Sequence, residues 1–258
     1  MERIYKAKFY DIKHFTMACE LLSKTVENCT FKFNNSGVSI TSLNEYKNIL
    51  TKLTFDDIKV MCYKPEYGSI DIGINLKHLV KRLNKIVPST PYIAMTVKKN
   101  SDKYILCIQD KPLQEATVTK LELPKIVFNC CVNIETTKLL DVINHTSSSK
   151  IVTIESYGNE IVFTGRENVA SDENDTTTHK CWNYVQTPIT NYLNEECDKN
   201  ILFTKTSSTY YLAILNEILD ATLSPKINLY LKNNFPLAIV SSTGCGKQHL
   251  YINPLEQV

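Results

Sequence analysis

Apolar positions along this chain fall into a pattern that occurs four times. In the second quarter, residues 69–74 alternate as a strand and Asn75 is a candidate helix cap. Leu76, Leu79, Val80, Leu83 and Ile86 then mark one helical face, which Pro88 and Pro91 bring to an end. Residues 92–97 and 104–108 read as two strands around the polar turn 99–102. The first copy has Asp11 as cap, Ile12, Phe15, Cys19 and Leu22 on one face, and strands 29–33 and 38–43 around Asn34-Asn35-Ser36-Gly37. The third has Asn133 ahead of a helix carrying Leu139, Val142, Ile143 and Thr146, then strands 151–155 and 160–164. The fourth has Thr206 ahead of Tyr211, Leu212, Leu215, Ile218 and Leu219, then strands 227–231 and 236–241.

The interval from cap to turn is 24 residues (11 to 35), 25 (75 to 100), 25 (133 to 158) and 27 (206 to 233). Each copy has one apolar helix face and a hairpin with one face to cover. Two copies side by side are expected to lay two helices on one face of a shared antiparallel sheet. The predicted class is therefore α+β, with two similar domains at residues 1–110 and 127–258. Residues 111–126, with Pro112 and Pro124 and weak periodicity, read as an edge strand and connector, and 166–178 as an exposed loop.

Composition narrows the function classes. The 258 residues carry 29 Lys+Arg against 27 Asp+Glu, a net charge of +2, so a nucleic-acid surface has to be local. Nine cysteines without a CxxC pair, and an N-terminus without an apolar leader, point to a soluble protein of a reducing compartment. No apolar run is long enough to span a bilayer.

Several stretches resemble the DNA sliding-clamp family, in its proliferating cell nuclear antigen (PCNA) branch. They are Phe31-Lys32-Phe33-Asn34-Asn35-Ser36-Gly37-Val38-Ser39-Ile40-Thr41-Ser42-Leu43, Gly73-Ile74-Asn75-Leu76 with Leu79 and Lys81, Leu121-Glu122-Leu123-Pro124, Phe235-Pro236-Leu237 and Tyr251-Ile252-Asn253-Pro254. They run in order over nearly the whole chain. The resemblance implies a DNA-clamp fold and a ring, a homotrimer in PCNA, that encircles duplex DNA and tethers a polymerase and other replication proteins. It implies a replication site in the nucleus or cytoplasm, and the abundance of Asn, Lys and Ile with only seven glycines, a bias typical of AT-rich coding sequence, suggests a viral or fast-evolving relative. Two alternatives remain: a monomeric or dimeric processivity subunit with this fold, and a two-domain enzyme.

The residues themselves bear on the DNA-facing side. Lys77, Lys81 and Lys85 stand at i, i+4 and i+8, with His78 and Arg82 beside them, in the arc left free by the apolar stripe. Such an arc suits phosphates, which reward charge without base reading. The other helices offer Lys13 and Lys138, but the third also carries Asp141 and the fourth Glu217 and Asp220. PCNA is strongly acidic overall, whereas this chain is near neutral.

By the resemblance, client peptides dock at Leu43, Asn48, Leu50, Leu121, Leu123, Pro236, Tyr251 and Pro254, with Asn48 polar where the family is apolar and the connector several residues shorter. Subunits seal through edge strands near 114–119 and 180–184, with Gln114, Thr117, Cys181, Trp182 and Tyr184 at the interface.

Catalytic chemistry is not visible. Ser242-Thr243-Gly244-Cys245-Gly246-Lys247 lacks the first glycine of a phosphate loop, and Gln248 follows its lysine, so it reads as a hairpin. Five scattered histidines and the adjacent Asp56 and Asp57 make no metal site, and no cofactor or metal is expected. Cys130 and Cys131 are expected on opposite faces of a strand, one buried and one at the rim. The chain reads as a non-enzyme.

Overall fold

The computed structural model describes residues 1–56, 58–87, 89–118, 121, 126, 128–157, 160–167, 177–181, 205–220 and 224–255, with backbone alone at 177–181 and 217–220. The chain divides into two units. Unit 1 comprises Met1–Glu122 with Ser242–Gln248, and unit 2 comprises Leu123–Ser241 with His249–Val258.

In unit 1, β1 (Glu2–Phe9) leads to α1 (Ile12–Thr25), β2 (Asn28–Asn34), β3 (Gly37–Leu43), β4 (Ile49–Phe55) and β5 (Ile58–Tyr63). A 3-10 turn, Pro65–Tyr67, precedes β6 (Ile70–Asn75), α2 (Leu76–Leu83), β7 (Ile93–Asn100), β8 (Lys103–Ile108) and the short β9 (Lys111–Pro112). The strand that opens each copy does not join its own hairpin. β1 pairs with β7, giving the antiparallel order β5-β1-β7-β8-β9, while β6 pairs with β2 in the order β6-β2-β3-β4. The shared sheet expected from the pattern is thus two sheets, each built from both copies.

Burial explains this exchange. Tyr5, Ala7 and Phe9 of β1 meet Phe15 of α1, Phe33 of β2 and Phe55 of β4 in one core, with Phe9 and Phe15 ring centres 4.6 Å apart and Tyr5 and Phe33 5.1 Å apart. Each such ring contributes about 1.5–3 kcal/mol when withdrawn from water. At the first turn Asn34 Oδ1 accepts from the N–H groups of Ser36 and Gly37, and Gly37 takes φ +139°, which suits a residue without Cβ.

Unit 2 repeats the plan. β10 (Cys130–Glu135), α3 (Thr136–His145), β11 (Ile151–Tyr157), β12 (Glu160–Arg166) and β13 (Thr177–Cys181) are followed by β14 (Thr206–Tyr211), α4 (Leu212–Asp220), β15 (Lys226–Leu231), β16 (Leu237–Thr243) and β17 (Gly246–Ile252). β10 crosses to β15 and β14 to β11, the same exchange as in unit 1. The expected phosphate-loop mimic is the turn between β16 and β17, as its failed motif indicated.

Several local expectations are corrected. α3 begins at Thr136 and α4 at Leu212, because Asn133 and Thr206 lie inside strands, opposite Asn228 and Ser156. Sheet pairing there outweighs the capping preference of either side chain. Tyr211, expected on an apolar helix face, ends β14 and is 50% exposed. Cys130 and Cys131 are both buried, since the two faces of β10 are covered: Cys130 Sγ lies 3.0 Å from Ser156 Oγ, and Cys131 stands opposite Tyr230. The expected loop 166–178 lies largely outside the described residues.

Candidate nucleic-acid interface and partner cavity

The caps position the helices. Asp11 accepts from His14 N–H at 3.1 Å, and Asn75 accepts from His78 N–H at 3.0 Å, as their places in the sequence predict. In α2, Leu76, Leu79 and Leu83 are buried, so Lys77 and Lys81 stand exposed on the opposite side, with Arg82 half-buried. The helix is shorter than expected. It ends at Leu83, and Lys85 lies beyond the C-cap Asn84. The turn beyond it closes by Lys85 N–H to Arg82 O (3.2 Å) and Ile86 N–H to Leu83 O (2.9 Å). Lys85 remains exposed next to Lys81 and Arg82. Lys13 is exposed on α1. Lys138 of α3 is exposed but ion-paired to Glu135 at 3.4 Å.

His78 has a task that the sequence did not announce. Its Nδ1 accepts the Gln114 N–H at 3.0 Å, which fixes the Nε2–H tautomer and ties the segment after β9 to α2. That segment then runs against β6: Ile74 bridges Glu115, and Ala116 N–H donates to Gly73 O at 2.9 Å. Gly73 permits the approach, since a Cβ there would lie 2.0 Å from Ala116 O.

A cavity of about 250 Å³ opens between this segment and the strands beside it. Leu43, Cys29, Val118 and Leu121 form its apolar wall, and Thr30, Ser42, Asn44 and Thr117 are among its polar lining. The hydroxyls of Thr30 and Ser42 are buried without a hydrogen-bond partner. Of the expected docking residues, Leu43 and Leu121 meet here. Leu50 stands opposite Leu43 on β4. Asn48 does not line the cavity; Asn44 Nδ2 donates to its side-chain oxygen at 2.7 Å, and Asn44 Oδ1 accepts its N–H at 3.0 Å, closing the β3–β4 loop. Nearby Lys52 is half-buried, and burial, then Lys32, lowers its ammonium pKa. Pro236, Tyr251 and Pro254 belong to unit 2, where Tyr251 is buried in β17 and the following Leu255 N–H donates to Thr209 O at 2.8 Å. Leu123 lies outside the described residues.

At the expected subunit edges, Gln114 and Thr117 are exposed, and Thr117 also lines the cavity. Cys181 pairs with Ile161 at the end of β13, which is the outer strand of the order β13-β12-β11-β14. Trp182 and Tyr184 lie outside the described residues.

No protein-family model matches the chain. It is 25% identical over 239 residues to a protein of Acanthamoeba polyphaga mimivirus named "Probable DNA polymerase sliding clamp"; the match takes in 86% of this chain and 48% of that protein, so the chain spans about half the length of the curated relative. The crystal structure of proliferating cellular nuclear antigen from Entamoeba histolytica superposes with a TM-score of 0.71 at 18% identity, over 98% of this chain and 99% of that one. Two strand-exchanged α+β units with this correspondence define a DNA-clamp fold. Within that fold class the chain is similar to PCNA in structure and to a probable viral sliding clamp in sequence.

Proposed function

We propose that the chain is a sliding clamp, a processivity factor that encircles duplex DNA and tethers a DNA polymerase. The observation that carries the reading is the exposed basic side of α2, Lys77 and Lys81, continued by Lys85 just past the C-cap, in a chain of clamp fold. Phosphates would meet these lysines together with Arg82, Lys13 and Lys138, without base reading. A ring of three copies, closed by edge pairing between 114–119 and 180–184 of neighbouring subunits, accounts for retention without tight binding. The three-part division into residues 1–110, 111–126 and 127–258 belongs to this proposal. So does the docking of client peptides at the Leu43–Leu121 cavity, where the Thr30 hydroxyl offers a polar anchor. The reading gives the chain no catalytic role.

The test joins mass and topology. A closed ring sediments as a multimer at micromolar concentration, stays on nicked circular DNA and slips off once the circle is cut. A monomer that binds circular and linear DNA alike would sink the ring and leave the non-ring processivity subunit.

A further inference from the structure

Unit 1 carries a second basic surface, on the side of the β5-β1-β7-β8-β9 sheet turned away from its core. Along β1, Tyr5, Ala7 and Phe9 point inward, so Lys6 and Lys8 point outward. Register extends the face sideways. Lys8 lies opposite Lys59 of β5, and Arg3 lies opposite Lys98 of β7 beyond a bulge. Lys103 opens β8 on the same side, since Tyr104 next to it packs on the core. The five strands contain one carboxylate, Glu2, and it is engaged by Lys64 and Tyr67. Among the described residues none of these six cations is in an ion pair. Lys6 and Lys98 are half-buried, and Thr96, opposite Lys6, is 1% exposed.

An aromatic pair closes one end of the row. The Tyr10 and Tyr92 rings have centroids 6.0 Å apart, the Lys8 ammonium sits 3.9 Å over the Tyr92 ring, and Tyr10 is 45% exposed. Cations alone would suit any polyanion. An exposed ring beside them selects one class, because a duplex keeps its bases stacked inside while a single strand offers a free base face.

We propose that this sheet face binds single-stranded nucleic acid, with the backbone along Arg3, Lys6 and Lys8 and their neighbours Lys59 and Lys98, and a base against Tyr10. The surface is carried by strands, on different elements from the lysines of α2. It does not depend on ring closure.

The experiment measures anisotropy of a fluorescent oligothymidylate of about 16 nucleotides, the upper range of a single-strand site, with the full chain across a salt series. Lys6, Lys59 and Lys98 changed together to Gln leave the Lys8–Tyr92 contact intact and lie off the core. This variant should reduce the slope of log affinity against log salt by about 2, at roughly 0.7 per phosphate contact. Tyr10→Ala should weaken binding about tenfold, as loss of one stacked base does, while circular dichroism stays unchanged. Lys77→Gln with Lys81→Gln should leave oligothymidylate binding as it is and weaken duplex binding. The proposal is overturned if the triple variant binds oligothymidylate like the parent, or if only the α2 variant loses it. It is equally overturned if Tyr10→Ala is silent while polyglutamate displaces the oligonucleotide, which would make the face a site for an acidic polypeptide.

Discussion

α2 of unit 1 and α3 of unit 2 each fill the helix position of one copy of the pattern and differ in almost everything that faces water. Each follows its strand directly and buries its stripe, Leu76, Leu79 and Leu83 in one, Thr136, Leu139 and Ile143 in the other. α2 has a side-chain cap at Asn75, whereas Glu135 makes no capping bond. α2 exposes Lys77 and Lys81; α3 exposes Lys138 held by Glu135, with Asp141 a turn further on. The fold therefore constrains the buried stripe and leaves the outer arc open to function.

Truncating the stripe gives the largest expected effect. Leu79→Ala and Leu139→Ala should each cost about 2–5 kcal/mol, because both side chains are buried. Urea melts followed separately in the two units should show similar losses; a cost confined to one helix would break the equivalence. Charge should then separate the pair. Lys77→Gln with Lys81→Gln should lower the salt slope of duplex binding by about 2, and Lys138→Gln by less than 1, at roughly 0.9 per phosphate contact. An equal effect per lysine would mean that the ion pair of Lys138 does not restrain it.

Caps come next. Asn75→Ala should cost about 1 kcal/mol, the usual value of an N-cap bond, and Glu135→Ala within about 0.5 kcal/mol, since no capping bond is lost. Thermal melts of the two variants make the comparison. The smallest effect belongs to Glu135→Gln, which frees Lys138 from a pair worth about 0.2–0.5 kcal/mol and should raise duplex affinity slightly in low salt.

The same contrast explains what the sequence could disclose. Apolar spacing located all four helices and their hairpins, because periodicity is written within a dozen residues. The caps Asp11 and Asn75 were legible for the same reason. Asn133 and Thr206 look equally good as caps in isolation, and only their strand partners, Asn228 and Ser156, keep them extended. Strand exchange was hidden too: alternation says which face of β1 is buried, but not that β7 rather than β2 lies beside it. Of the candidate site, the α2 lysines could be placed from their spacing, and Leu43 and Leu121 from resemblance. Val118 and Thr30 become lining residues only because Gly73 lets the segment after β9 lie close, and His78 is recruited by the Gln114 N–H. Nothing local to those residues records either contact.

Unit 1 takes its last piece from the far end of the chain. Asp56 N–H donates to Cys245 O at 2.9 Å, and a Cβ on Gly246 would lie 1.9 Å from Thr54 O, so the turn after β16 is fitted closely against the end of β4. About 190 residues separate Phe55 from Cys245. At a synthesis rate of about 5–20 residues per second, the ribosome needs about 10–40 s to deliver that turn once β4 has been made. During that interval the nascent chain displays an unpaired strand edge, the kind of template that invites pairing with a neighbour on the same message. Yield in a cell should therefore depend on translation speed and on chaperones that shield β4, more than on the final stability of either unit.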